Sequence, residues 1–147
     1  MIYIASDHGG FGLKNYLVLE LAKRKKKFED LGSFLLDPED DYPDFAKKVS
    51  AKVADSPSKN LGVLICRNGQ GMCIAANKFK GVRAITSWSE KHVASSRKDD
   101  NANVVCLPSD YISRSEALKV VLKFITTKFS SLPRHKRRLK KVSSFEK

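Results

Sequence analysis

The run LGVLIC, residues 61–66, constrains what this chain can fold into more than any other stretch. It carries no charged residue and shows no apolar–polar alternation. Such a strand must be covered on both faces, as in parallel sheets whose crossover helices lie above and below. A turn-forming stretch, RNGQG, follows at once, and MCIAANKF then resumes a helical pattern.

The rest of the chain repeats that alternation. Ile2, Ile4 and Ala5 suit a first buried strand, and Leu13, Leu17 and Leu21, with Tyr16 beside them, mark an amphipathic helix. KFEDLGSF reads as a short strand running into a glycine turn. DPEDDYPDFAKKVSAKVA opens with acids and Pro43, then places Phe45, Val49 and Val53 on one helix face. GVRAITSW and NANVVCLP read as the fourth and fifth strands, with SEKHVASSRK a helix between them. SRSEALKVVLKFITTKF is a helix with Ala117, Val121, Phe124 and Ile125 on its apolar side. The expected fold is α/β, a three-layer Rossmann-like sandwich with a five-stranded parallel sheet and an extra C-terminal helix. With 147 residues, no internal repeat and no low-complexity linker, a single domain over residues 1–147 is expected. Residues 133–147 form a basic helix or arm poor in apolar residues, chiefly Leu139 and Val142, so it needs another surface, such as a second subunit.

Several function classes are disfavoured. No apolar run approaches the roughly 20 residues that span a bilayer, and no basic region precedes an apolar N-terminal segment, so a cytoplasmic location and no membrane partner are expected. Cys66, Cys73 and Cys106, with His8, His92 and His135, lack the spacings of a disulfide framework or metal site, so no metal is expected. The net charge of +12 gathers in LAKRKKKF and PRHKRRLKK. Such runs attract anions of many kinds, but the first reads better as a solvated helix face. With no nucleic-acid recognition motif, nucleic acid is not an expected partner.

In open parallel sheets, ligands bind beyond the carboxyl ends of the strands. Three segments are expected there: Ser6-Asp7-His8-Gly9-Gly10, then Cys66-Arg67-Asn68-Gly69-Gln70-Gly71, and the region before Asn103 and after Leu107. Backbone N–H groups around Gly69 and Gly71 can form a hollow for an oxyanion. Cys66 beside them should ionise more readily and could accept a carbon-bound proton. A buried packing cysteine is the competing account, as is a helix cap for Asp7, a turn contact for His8 and ordinary packing for Tyr42. His92 reads as a surface residue, and Cys73 and Cys106 as packing.

Taken together, ICRNGQGMCIAANKFKGVRA, SDHGGFGLK, DYPDFA, NANVV and PRHKRRL resemble, in order, the motifs of type B ribose-5-phosphate isomerases and their galactose-6-phosphate isomerase relatives. The resemblance covers nearly the whole chain. It implies an aldose–ketose isomerase acting on a phosphorylated sugar through a cis-enediol, without metal or other cofactor, as a dimer or tetramer whose active sites cross a subunit interface. Cys66 would be the base. The amides around Asn68, Gly69, Gln70 and Gly71 would stabilise the enediolate, and Asp7 would bind sugar hydroxyls. His8, Arg134 and Arg138 would hold the phosphate, and Tyr42 would line the pocket.

Three positions depart from the family pattern. Asp99 and Asp100 stand where a His-Asn pair assists ring opening, Asp110 stands in an arginine slot, and Arg67 and Asn68 replace a glycine and a threonine. Arg67 is expected to reach Asp99, Asp100 or Asp110, or to replace the missing phosphate contact. Ribose 5-phosphate is the leading substrate. Galactose 6-phosphate or allose 6-phosphate, or a sugar-phosphate- or nucleic-acid-binding protein without turnover, are the alternatives.

Overall fold

The computed structural model describes residues 1–146. Five strands lie in one parallel sheet of order β2-β1-β3-β5-β4. They are β1 (Ile2–Ser6), β2 (Phe28–Asp30), β3 (Leu61–Cys66), β4 (Ala84–Thr86) and β5 (Val104–Pro108). The helices are α1 (Phe11–Lys23), α2 (Tyr42–Ala54), α3 (Gln70–Ala76), α4 (Glu90–Asp100), α5 (Arg114–Thr126) and α6 (Pro133–Ser143). The expected architecture is therefore observed, with the second and fourth strands each shortened to three residues.

The pleat of the central strands sorts side chains into two cores. Ile4, Val63, Ile65, Val105 and Leu107 face one side, where α1, α4 and α5 cover them. Ala5, Leu64, Cys66, Val104 and Cys106 face the other, beneath α2 and α3. LGVLIC is apolar throughout because both its faces meet a helix layer. Local signals set the helix starts. Ser89 accepts the His92 N–H, Ser113 and Glu116 form a capping box, and Pro43 opens α2.

One charge lies inside. Lys14 of α1 is 1% exposed, and its Nζ donates to Asp30 Oδ2 at 2.6 Å, tying α1 to the end of β2. The rings of Phe11 and Phe34 lie near the same ammonium.

Between Ser6 and α1 a single 3-10 turn, His8–Gly10, carries the chain over the end of β3. An added Cβ at Gly10 would stand 2.4 Å from the Ile65 carbonyl oxygen. Only glycine permits that approach. Gly10→Ala should therefore lower stability by about 1–3 kcal/mol, read as a fall in the urea midpoint at unchanged m-value.

Candidate active site

The sheet order reverses direction between β1 and β3, and the crevice above their carboxyl ends is where open α/β sheets bind ligands. Ser6 and Cys66 end these strands, so the loops Asp7–Gly10 and Arg67–Gly71 face each other there. A third loop fastens both. Ser109 donates its hydroxyl to Gly9 O at 2.8 Å and its N–H to Cys66 O at 2.9 Å, while Asp110 N–H reaches Arg67 O at 3.0 Å.

Asp7 is 6% exposed, and one carboxylate oxygen caps the turn by accepting the Gly10 N–H at 3.0 Å. Burial raises its pKa, against the lowering effect of that N–H. The cap contact is therefore the one that the geometry shows for this side chain.

His8 is oriented by Asp40, a residue absent from the candidates of the sequence. Asp40 Oδ1 lies 2.6 Å from His8 Nδ1 and accepts the His8 backbone N–H at 3.0 Å. The hydrogen bond to Asp40 raises the imidazole pKa and favours the cation, the form suited to a phosphate. The other Asp40 oxygen is buried without a partner. The cluster DPEDDYP was visible as a helix start, but nothing in it singled out Asp40 as the carboxylate that reaches back across 32 residues.

Gly69 adopts φ 75°, a left-handed conformation suited to glycine, and turns the 67–71 loop into α3. Asn68 Oδ1 accepts the Gln70 N–H at 2.9 Å and steadies the turn. The N–H groups of Met72, Gly69 and Asn68 act on the Cys66 sulfur and favour its thiolate, but burial outweighs them and the thiol pKa is raised. The expectation of easier ionisation is corrected: at 5% exposure, the loss of water costs a thiolate more than these amides return. Tyr42, 40% exposed, lays its ring on Gly71, where an added Cβ would come within 2.8 Å of it. A cavity of about 460 Å3 borders this loop, lined by Asn68, Gln70, Thr86, Trp88, Pro108 and Tyr111.

Arg67 Nη1 lies 3.7 Å from Asp110 Oδ2, both side chains largely solvated, so Asp110 is the carboxylate it meets. Asp99, Asp100, Arg134 and Arg138 are not gathered here. A helix that follows one parallel strand returns the chain to the amino edge, so α4 ends on Asp99 and Asp100 at the far end of the sheet. The expectation that the region before Asn103 shares the carboxyl edge is corrected: only the stretch after Leu107 lies there. Asp99 instead sits 3.8 Å from the buried His135 of α6. Arg134 and Arg138 are exposed one turn apart on the same helix.

Of the remaining candidates, His92 is exposed but stacks on Trp88 and lies 3.0 Å from Ser87 Oγ. Cys106 is buried among packing side chains, and its thiol lowers the neighbouring Cys73 to about 7. Among the described residues, no three His, Cys, Asp or Glu side chains converge on a metal position, and no helix is long and apolar enough to cross a membrane.

Two titrations test this geometry. In Asp40→Asn the His8 pKa, followed by NMR, should fall toward the ordinary value of about 6.5. Because His8 is raised in the folded protein, its ion pair adds stability fully below that value. The advantage over Asp40→Asn should shrink as pH rises through the raised pKa. Alkylation of Cys66 by iodoacetamide, mapped by mass spectrometry, should accelerate about tenfold per pH unit between neutrality and the ordinary thiol pKa of about 8.5. Cys73 alkylation should level off above about pH 7.

A family model described as ribose/galactose isomerase matches residues 2–142. A probable ribose-5-phosphate isomerase B of Mycoplasma genitalium is 46% identical over 146 residues, covering 99% of this chain and 95% of the relative. A ribose-5-phosphate isomerase B of Mycobacterium tuberculosis is 32% identical, covering 99% and 90%. The crystal structure of the Mycoplasma genitalium enzyme with bound ribulose-5-phosphate superposes with a TM-score of 0.95, at 46% identity, over 99% of this chain and 95% of that one. A ribose 5-phosphate isomerase from Thermotoga maritima gives 0.91 at 36% identity, over 97% of both chains. With its cysteine, loop amides and oriented histidine at the β1–β3 crevice, the chain belongs to the ribose/galactose isomerase family.

Proposed function

We propose that this protein interconverts ribose 5-phosphate and ribulose 5-phosphate in the cytoplasm. The observation that carries the reading is the placement of Cys66 beneath the Asn68, Gly69 and Met72 amides, across the crevice from Asp7 and His8. The Cys66 thiolate removes the proton from C2 of the open aldose, and the electron pair moves to the carbonyl, leaving a cis-enediolate with charge on O1. The loop amides, with Gln70 and Gly71 shaping their hollow, offset that charge. Return of the proton to C1, with transfer of the O2 hydroxyl proton to O1, yields the ketose. Asp7 accepts hydrogen bonds from sugar hydroxyls, His8 carries positive charge toward the phosphate, and Tyr42 walls the pocket.

Asp99, Asp100, Arg134 and Arg138 enter this reading from a second copy of the chain, in a homodimer or tetramer with composite sites. Each lies at the amino edge of its own sheet, too far along the fold to serve its own Cys66. Arg67 is held toward Asp110, so the phosphate falls chiefly to His8 and the α6 arginines. A 6-phosphohexose is the second reading, favoured by the carboxylate of Asp99, whose neighbour is a histidine imidazole.

Turnover decides between them. Ribulose 5-phosphate should form from ribose 5-phosphate, and Cys66→Ala should lower kcat by at least about a hundredfold. Product from a hexose 6-phosphate alone would transfer the reading to that sugar. Undiminished activity in Cys66→Ala would remove the base.

A further inference from the structure

Two of the three cysteines take no part in the chemistry above. Cys73 of α3 is partly exposed, and Cys106 of β5 lies beneath it out of contact with solvent. The pleat of the sheet brings them together. Cys106 faces the side covered by α2 and α3, as does Ala84 of the neighbouring strand β4. Cys73 Sγ lies 3.4 Å from the Ala84 carbonyl oxygen, and Thr86, two residues further along β4, is the register partner of Cys106. There the Cys73 and Cys106 side chains hydrogen-bond to each other.

Their environments make the two thiols unequal. Hydrogen bonds from Cys106 and Thr86 outweigh partial burial at Cys73 and lower its thiol to about 7. Burial, and then the Cys73 contact, push Cys106 well up, and burial also raises Cys66. At neutral pH about half of Cys73 is therefore thiolate, against a small minority of Cys66. A more basic thiolate is the better nucleophile, but a Brønsted slope of about 0.4–0.5 recovers only part of that difference. Cys73 is also the more accessible of the two.

We propose that Cys73 and Cys106 form a peroxide-sensitive dithiol, and that its reversible disulfide slows turnover by shifting the loop amides beside Cys66. The Cys73 thiolate attacks one oxygen of a hydroperoxide; the S–O bond forms, the O–O bond breaks, and hydroxide or alkoxide leaves. Cys106 sulfur then attacks Cys73 sulfur, the S–O bond breaks, and the Cys106 proton departs with the hydroxyl as water. The two thiols have supplied the two electrons that reduce the peroxide, and an external dithiol returns them. The link to the site is short. Cys73 N–H donates to Gly69 O at 3.3 Å, and the Thr86 hydroxyl donates to the same oxygen at 3.3 Å. Drawing Cys73 onto β5 therefore moves Gly69, whose N–H acts on Cys66. This consequence rests on the isomerase reading, whereas the bond itself does not.

Brief exposure of the wild type to hydrogen peroxide at neutral pH, then alkylation and peptide mass spectrometry, tests the pair. A linked Cys73–Cys106 peptide pair should appear while Cys66 remains a free, alkylated thiol. In Cys106→Ala, Cys73 should accumulate as a sulfenic acid trapped by dimedone, and in Cys73→Ser neither product should form. Turnover of ribose 5-phosphate should fall at least about threefold as linkage completes, since small displacements in such sites are costly. It should recover with dithiothreitol and stay constant in Cys73→Ser over the same exposure. Oxidation of Cys66 ahead of the link, oxidation of Cys73 without a link in the wild type, or full activity of the linked enzyme would overturn the proposal. The wild-type peptide map decides the bond without either variant. A reduced wild type that forms the link but is inert on every sugar phosphate overturns the isomerase reading and confirms the dithiol.

Discussion

The close seating of Gly10 against the Ile65 carbonyl is the constraint on which the site depends. It lets the first turn lie directly over the end of β3, so that Asp7 and Cys66, far apart in sequence, border one crevice. The same turn presents Gly10 N–H to Asp7 and leaves the His8 backbone N–H to Asp40. Ser109 completes the clamp by holding Gly9 and Cys66 at once. Geometry at this edge is therefore set mainly by backbone groups, which move less than long side chains and suit a reaction that needs fixed hydrogen-bond donors.

Electrostatics in the crevice is governed by dehydration. Burial raises both Asp7 and Cys66, and the Asp7 charge further disfavours a Cys66 thiolate. The loop amides counteract this without reversing it. In the proposed reaction this shift makes the thiolate a stronger base once formed but leaves less of it at neutral pH. The Arg67–Asp110 pair lies outside this dry zone. Being solvent-exposed, it contributes at most about 1 kcal/mol to folding, and its importance lies in where it holds the Arg67 charge.

Parallel topology explains why the remaining candidates are elsewhere. Every α/β crossover takes the chain from the carboxyl edge to the amino edge, so a motif at the end of a helix cannot sit beside a motif at the end of a strand. Asp99 and Asp100 end α4, and the α6 arginines lie beyond α5. In the composite-site reading proposed above, these groups would reach the crevice from another copy of the chain.

Much of this was legible in the residues themselves. LGVLIC announced a strand buried on both faces, Ser113 and Glu116 announced a helix start, and SDHGG and CRNGQG announced loops with a purpose, because strand patterning and capping are local chemistry. Asp40, Lys14 and Ser109 were not legible, since each acts on a partner from another part of the chain and a carboxylate, ammonium or hydroxyl carries no mark of its destination. Nor was the sign of the Cys66 shift: nearby sequence shows the amides that lower a thiol pKa, but not the packed layers of α2 and α3 that exclude water and raise it. Sequence by itself determined the order of the elements and the chemistry available at their ends. Only the tertiary structure decided which ends share an edge and how dry that edge is, because both depend on contacts between segments distant along the chain.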